Sequence, residues 1–203
     1  LLSAYKYGGE QRWADLFGAM LAELLSGPGR LLDGFDLVVA SPTYTGPGGR
    51  GFDHTAAILR RAAPRMPPED AARLDLASPP AIVRAAPVPR LARCGHLERQ
   101  RIAQHLLRTA LRVPDHRRTR GRRVLVFDDV FTDGRTLDEV ARALRLQGGA
   151  REVGGISLCR QPWREAPGLP AQRSSFPLTP WPPDPPCSNR AARSQPARVT
   201  SRS

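Results

Sequence analysis

Residues 124–136 read VLVFDDVFTDGRT. Val124-Leu125-Val126-Phe127 is the clearest apolar strand in the chain, and it runs into the paired acids Asp128-Asp129. A Thr132-Asp133-Gly134 turn follows, and then a helix whose Leu137, Val140, Ala141 and Leu144 form an apolar stripe ending at Gly148-Gly149. Residues 153–158 (VGGISL) predict the next strand. Upstream, Phe35 to Ala40 is a second short apolar run that reads as a buried strand. Helices alternating with such strands predict an α/β domain with a largely parallel sheet flanked by helices.

The rest of the chain fills in around these strands. Gln11 to Leu25 places Trp13, Leu16, Phe17, Met20, Leu21, Leu24 and Leu25 at i, i+3, i+4 spacing, an amphipathic helix stopped by Ser26-Gly27-Pro28-Gly29. Residues 41–51 (SPTYTGPGGRG) are dense in Gly and Pro and predict a loop. Asp53 can cap a helix through Thr55–Leu59 that Pro64 ends. Residues 64–80, with five prolines, predict loop with a single helical turn, and Ala81-Ile82-Val83 a weak strand. Leu97 to Leu111 carries Ile102, Leu106, Leu107 and Leu111 on one side of a predicted helix. Beyond Cys159 the pattern stops: residues 160–203 hold 10 of the 21 prolines, which deny donors to helix and sheet, so this tail is expected to be disordered. The expected organisation is one domain over 1–159 and a Pro/Arg-rich tail over 160–203.

The 203 residues carry 31 Lys+Arg against 19 Asp+Glu, a net charge of +12, but the excess is local. Residues 84–123 hold 12 arginines against Glu98 and Asp115, while the tail holds 7 against Glu165 and Asp184. Lys6 is the only lysine, a skew that fits a GC-rich coding sequence. An arginine-rich segment can neutralise nucleic-acid phosphates, yet 84–123 contains no Phe, Tyr or Trp for base stacking. No apolar run approaches the roughly 18 residues of a membrane span, which excludes a membrane protein, and residues 1–10 lack a signal-peptide core. The opening on Leu1 suggests a processed or truncated start. Cys94, Cys159 and Cys187 lie far apart with no C-x-x-C pair, which supports neither a zinc site nor a disulfide framework and fits a reducing cytoplasm.

The chemistry concentrates in 124–136. A strand ending at the carboxyl edge of a parallel sheet delivers its last residues to the crevice where ligands bind. Two ionised carboxylates only accept hydrogen bonds, which suits a vicinal diol or a hydrated Mg²⁺. The Thr/Gly turn offers backbone N–H groups and hydroxyls at a helix N-terminus, an anion site. A diol beside a phosphate describes a ribose 5-phosphate. The same residues also fit an ordinary strand–turn–helix, with Asp133 or Thr132 as N-cap and Thr136 and Glu139 spaced as a capping box.

This segment resembles the phosphoribosyl-pyrophosphate (PRPP) motif of the type I phosphoribosyltransferases. Tyr5-Lys6-Tyr7-Gly8-Gly9 and Arg50-Gly51-Phe52-Asp53-His54 further resemble motifs of the ComF-like (competence protein F) branch of that superfamily, and the likeness spans about residues 5–159. The resemblance implies a type I phosphoribosyltransferase-like fold and a Mg²⁺-dependent transfer of phosphoribosyl from PRPP to an unidentified nitrogen nucleophile, with pyrophosphate released through an oxocarbenium-like state. Asp128 and Asp129 would accept from the ribose hydroxyls, directly or through Mg²⁺-bound water. Thr132, Asp133, Gly134, Arg135 and Thr136 would form the 5-phosphate turn. Ser41, Pro42, Thr43 and Arg50 would form the pyrophosphate loop. The other reading it implies is a non-catalytic PRPP- or nucleic-acid-binding accessory of DNA uptake, with DNA on 84–123; a homodimer fits either. The zinc ribbon that many ComF-like proteins carry has no counterpart in these residues. His54 is expected to cap or pack.

Asp133 stands where the family has Thr or Gly. A carboxylate ~4 Å from a phosphate, at an effective dielectric near 20, costs on the order of 4 kcal/mol. PRPP affinity therefore requires that Asp133 turn away to cap the helix or that Arg135 neutralise it.

Overall fold

The computed structural model describes Tyr5 and residues 12–49, 51–88 and 101–160. Arg50, residues 6–9 of the opening motif, residues 89–100 of the basic segment and residues 161–203 of the tail lie outside the described residues. The chain divides into two units, Leu1–Trp163 and Arg164–Ser203, and every described residue belongs to the first.

In chain order the strands are β1 (Leu37–Ala40), β2 (Val83–Arg84), β3 (Leu111–Arg112), β4 (Arg123–Phe131) and β5 (Glu152–Arg160), and the longer helices are α1 (Trp13–Ser26), α2 (His54–Ala62) and α3 (Arg135–Leu146). The main sheet has the order β1-β4-β5 with both pairings parallel. On the far side of β1, Leu74 makes a parallel bridge to Val38. The chain thus steps outward from β1 to Leu74 and then returns to β4 on the other flank, so the winding reverses between β1 and β4. That reversal opens a crevice at the carboxyl ends of these two strands.

Alternation along β4 builds two cores. Leu125 and Phe127 pack with Val38 against Phe17, Leu21, Leu25, Ile58 and Leu59 of α1 and α2. Val124 and Val126 pack with Val39 against Val140, Ala143 and Leu144 of α3 and against Leu107 and Leu111. The sheet is covered by helices on both faces, as an α/β domain requires.

Several sequence expectations change. In α1 the face is narrower than its apolar content: Phe17, Leu21 and Leu25 are buried, whereas Leu16, Met20 and Leu24 are 43–45% exposed. Small residues explain the choice, because Ala14, Gly18 and Ala22 share the buried face and let α2 come close. A Cβ on Gly18 would lie 2.6 Å from Arg61 Cβ. Residues 81–83 do not extend the parallel sheet. Val83–Arg84 instead pairs antiparallel with Leu111–Arg112 in a separate ribbon, while Ala81 and Ile82 turn into the core.

The helix expected through Leu111 stops at Ala110, because Leu111 is taken by that ribbon. Over Ile102–Leu107 it is a π-helix, whose i→i+5 pattern buries Ile102 with Leu107 and turns Leu106 outward. In 63–71 the chain makes a 3-10 turn at Ala63–Arg65 and a short helix at Pro68–Ala71, one turn more than expected. Among the described residues no helix is long and apolar enough to cross a membrane.

Candidate functional site

β1 ends where Ser41-Pro42 begins, since proline has no N–H to continue the ladder. Its last residue, Ala40, is in register with Phe127. β4 goes on to Phe131 because β5 keeps pairing with it up to Arg160. The two acids are therefore inside the strand, not after it, and they lie beyond the end of β1 in the crevice.

The strand's alternation separates them. Asp129 follows Leu125 and Phe127 onto the α1/α2 face and is buried at 2% exposure. Asp128 follows Val124 and Val126 onto the face shared with α3 and is partly exposed. The Asp129 N–H donates to Asp128 Oδ1 at 3.0 Å, which fixes the first carboxylate from behind.

Asp129 meets His54, which packs as one of the two expected roles had it, while the cap of α2 is Asp53. His54, itself 5% exposed, sets Nε2 2.9 Å from Asp129 Oδ2. The other ring nitrogen, Nδ1, is 3.1 Å from Thr43 Oγ1. The imidazole thus lies between a carboxylate, which can only accept, and a hydroxyl, which can donate or accept. The sequence placed His54 at the end of the 50–54 motif, directly after the capping Asp53, but not its contacts with Asp129 and Thr43.

Around this contact the base of the loop after β1 is pinned. The Ser41 N–H donates to Phe127 O at 2.7 Å, and Thr55 Oγ1 donates to Ser41 O at 2.7 Å. Asp53 caps α2 as expected, accepting from the Ala56 N–H at 3.0 Å, while its second oxygen accepts from the Thr43 N–H at 3.3 Å. Ser41 and Pro42 are buried, and the N–H and hydroxyl of Thr43 both bond within the protein. Past Thr43 the loop reaches the surface. Gly49 N–H donates to Gly46 O at 2.8 Å, closing a turn in which Gly48 takes φ +72°, the left-handed value that a Pro-Gly turn needs at its third position.

The Tyr5 hydroxyl donates to His54 O at 2.7 Å. Burial first, and then the charges of Asp129 and Asp53, push this phenol up to about 12 from 10.0. The native protein keeps the proton where the unfolded chain has begun to lose it, so this contribution to stability is complete below pH 10 and lost as pH rises to about 12. Tyr5→Phe is expected to lower stability by about 1 kcal/mol at neutral pH, the worth of one hydrogen bond. It should also flatten the alkaline fall; urea unfolding across that interval measures both.

At the other end of the site the turn Thr132–Gly134 leads into α3. The N-cap is Gly134, at φ +80°, and not Thr132 or Asp133, and no side chain caps it. Asp133 is folded back: Oδ1 accepts from the Arg135 N–H at 3.3 Å, and Oδ2 lies 3.3 Å from Arg135 Nε. Asp133 does not cap the helix; of the two ways of quenching its charge, the pairing with Arg135 is the one in use. Thr136 and Glu139 form no capping box, because Glu139 is buried and takes a two-pronged bond from Arg108, at 2.9 and 2.7 Å.

That pair belongs to a pattern in the basic segment. Arg118 binds the buried Asp75 and donates to Pro79 O at 2.8 Å, and Arg123 binds Asp36 at 3.1 Å. The backbone N–H of Arg123 and then its guanidinium hold the Asp36 carboxyl below the usual range. Three of the arginines that invited a nucleic-acid reading are fastened to three different parts of the fold. Among the described residues no group of three or more His, Cys, Asp or Glu is arranged to hold a metal ion. No protein-family model and no curated protein matches the chain, so the reading of the site rests on its own geometry.

Proposed function

We propose that the protein binds PRPP with Mg²⁺ and transfers its phosphoribosyl group to a nitrogen nucleophile, as a ComF-like member of the type I phosphoribosyltransferases. The observation that carries this reading is the partly exposed carboxylate of Asp128 at the winding reversal, one short turn from the N-terminus of α3. An acceptor-only group suits the ribose diol, and a 12-residue helix opening on Gly134 and Arg135 suits the 5-phosphate. The neutralised Asp133 removes the main electrostatic objection to an anion at that turn. The sheet order, with parallel neighbours on both sides of β4, agrees with such a core.

The roles divide accordingly. Asp128 orients the ribose, with the buried Asp129 supporting it through the backbone. Thr132, Gly134, Arg135 and Thr136 hold the 5-phosphate. The loop after β1 faces the pyrophosphate, and its outer part, residues 44–49, offers backbone donors. Mg²⁺ commonly binds through one or two carboxylates together with substrate phosphates, so Asp128 fits it without a protein cage. When bound it would neutralise charge on the leaving group. Holding the ribose at two ends confines the anomeric carbon to the crevice, where a nucleophile attacks as the bond to pyrophosphate opens.

PRPP with Mg²⁺ is expected to raise the melting temperature. At about 100 times Kd the stabilisation is about 2.7 kcal/mol, roughly 5–10 °C for a chain of this size. An unchanged melting curve would overturn the reading. Pyrophosphate release in a screen of nucleobases and amines then separates an enzyme from a PRPP-binding accessory.

A further inference from the structure

The Asp129–His54–Thr43 chain is the polar cluster that ligand recognition leaves unused. It consists of a buried carboxylate, a buried imidazole and a threonine hydroxyl, 2.9 and 3.1 Å apart in sequence. It joins three separate elements: the middle strand, the start of α2 and the loop after β1. We propose that His54 is a positioning residue which, oriented by Asp129, anchors Thr43 and thereby presents the following loop to the pyrophosphate end of the ligand. This inference rests on the PRPP reading and narrows it, since it assigns Asp129 to the support of the loop and leaves the ribose diol to Asp128.

The geometry favours a support over a contact. Thr43 gives its N–H to Asp53 Oδ2 and bonds through its hydroxyl to His54 Nδ1, so both of its polar groups are engaged within the protein. Ser41 and Pro42 are buried beside it. What this part of the chain supplies is a rigid root. From it, residues 44–49 emerge in a direction set by the bonds at Thr43, and a loop whose ends are fixed loses less entropy when it closes on a ligand. The imidazole suits the task because its two nitrogens face the carboxylate and the hydroxyl from opposite sides of a flat ring that has few rotamers to lose.

The prediction separates two ligands. Ribose 5-phosphate engages Asp128 and the 132–136 turn, whereas PRPP also engages the loop after β1. His54→Ala is expected to weaken PRPP by about tenfold, the scale of one preorganising hydrogen bond, while ribose 5-phosphate keeps its affinity. His54→Gln, whose amide retains a donor and an acceptor, should restore most of the PRPP affinity. Thr43→Val tests the same bond from the other end without emptying the core, and should give the same split if His54→Ala does not fold. Titration calorimetry with both ligands, in the presence of Mg²⁺, reads all of these. Equal losses for the two ligands, or no loss in either variant, would overturn the role of His54 while leaving PRPP binding intact. A native protein that binds neither ligand would instead overturn the PRPP reading and this inference with it.

Discussion

Asp128→Ala is expected to abolish most of the PRPP-induced rise in melting temperature while leaving the melting temperature of the unliganded protein nearly unchanged. The carboxylate is partly exposed, the bond it takes from the Asp129 N–H is local, and pairing with Ser157 holds the residue's place in β4. A hydrogen bond to a charged group is worth about 1.5–3 kcal/mol, so losing the ribose contact weakens binding by roughly 10–100-fold. Asp129→Ala is its contrast. That carboxylate is buried against His54, so its removal should lower the melting temperature before any ligand is added. Thermal melts of both variants, with and without PRPP and Mg²⁺, give the comparison. If Asp128→Ala kept the full ligand shift, the ribose diol would have to be held elsewhere.

The largest effect on stability is expected from Arg118→Ala. Asp75 is buried, with a side chain 1% exposed, between the Arg118 guanidinium and the Ala81 N–H. Arg118 also donates to Pro79 O, so it fastens the 75–81 segment to the turn before β4. Removing the cation strands a carboxylate in the interior, which costs about 3–5 kcal/mol. That is a large share of the roughly 5–15 kcal/mol that holds a domain folded. Arg117→Ala, next to it and exposed, should change little. Urea unfolding midpoints distinguish the two, and a loss below about 1 kcal/mol for Arg118 would mean that the pair behaves as a surface one.

The fold was legible where periodicity and punctuation agreed. Helix α1, strand β1, the Asp53 cap, helix α3 and strand β5 all follow from apolar spacing bounded by Gly, Pro or a capping side chain. Strand β4 was recognised but cut short, since its last four residues are strand only because β5 pairs with them, and pairing is not written in local sequence. The π-helix at 102–107 and the ribbon at Leu111 were missed for the same reason: tertiary partners override helical spacing.

In the site, the acids and the turn stood out by residue type. Their inequality did not, although the period of two already assigned them to opposite faces. His54 was expected to cap or pack, but its partners stayed hidden, because a lone histidine carries none in the sequence. Asp129 and Thr43 become its neighbours only when three elements meet.

The overhang of β4 past β1 has a consequence for how such a protein can change over time. Asp128 and Asp129 sit on the strand that closes both hydrophobic layers, so their placement is as fixed as the core itself. The stretches that complete the crevice, 44–49 and 132–134, hang from that strand and its neighbour and take no part in either layer. Variation can accumulate there without loosening the scaffold. On the proposed function, new acceptor preferences would then arise by remodelling the hanging parts around an immobile pair of acids.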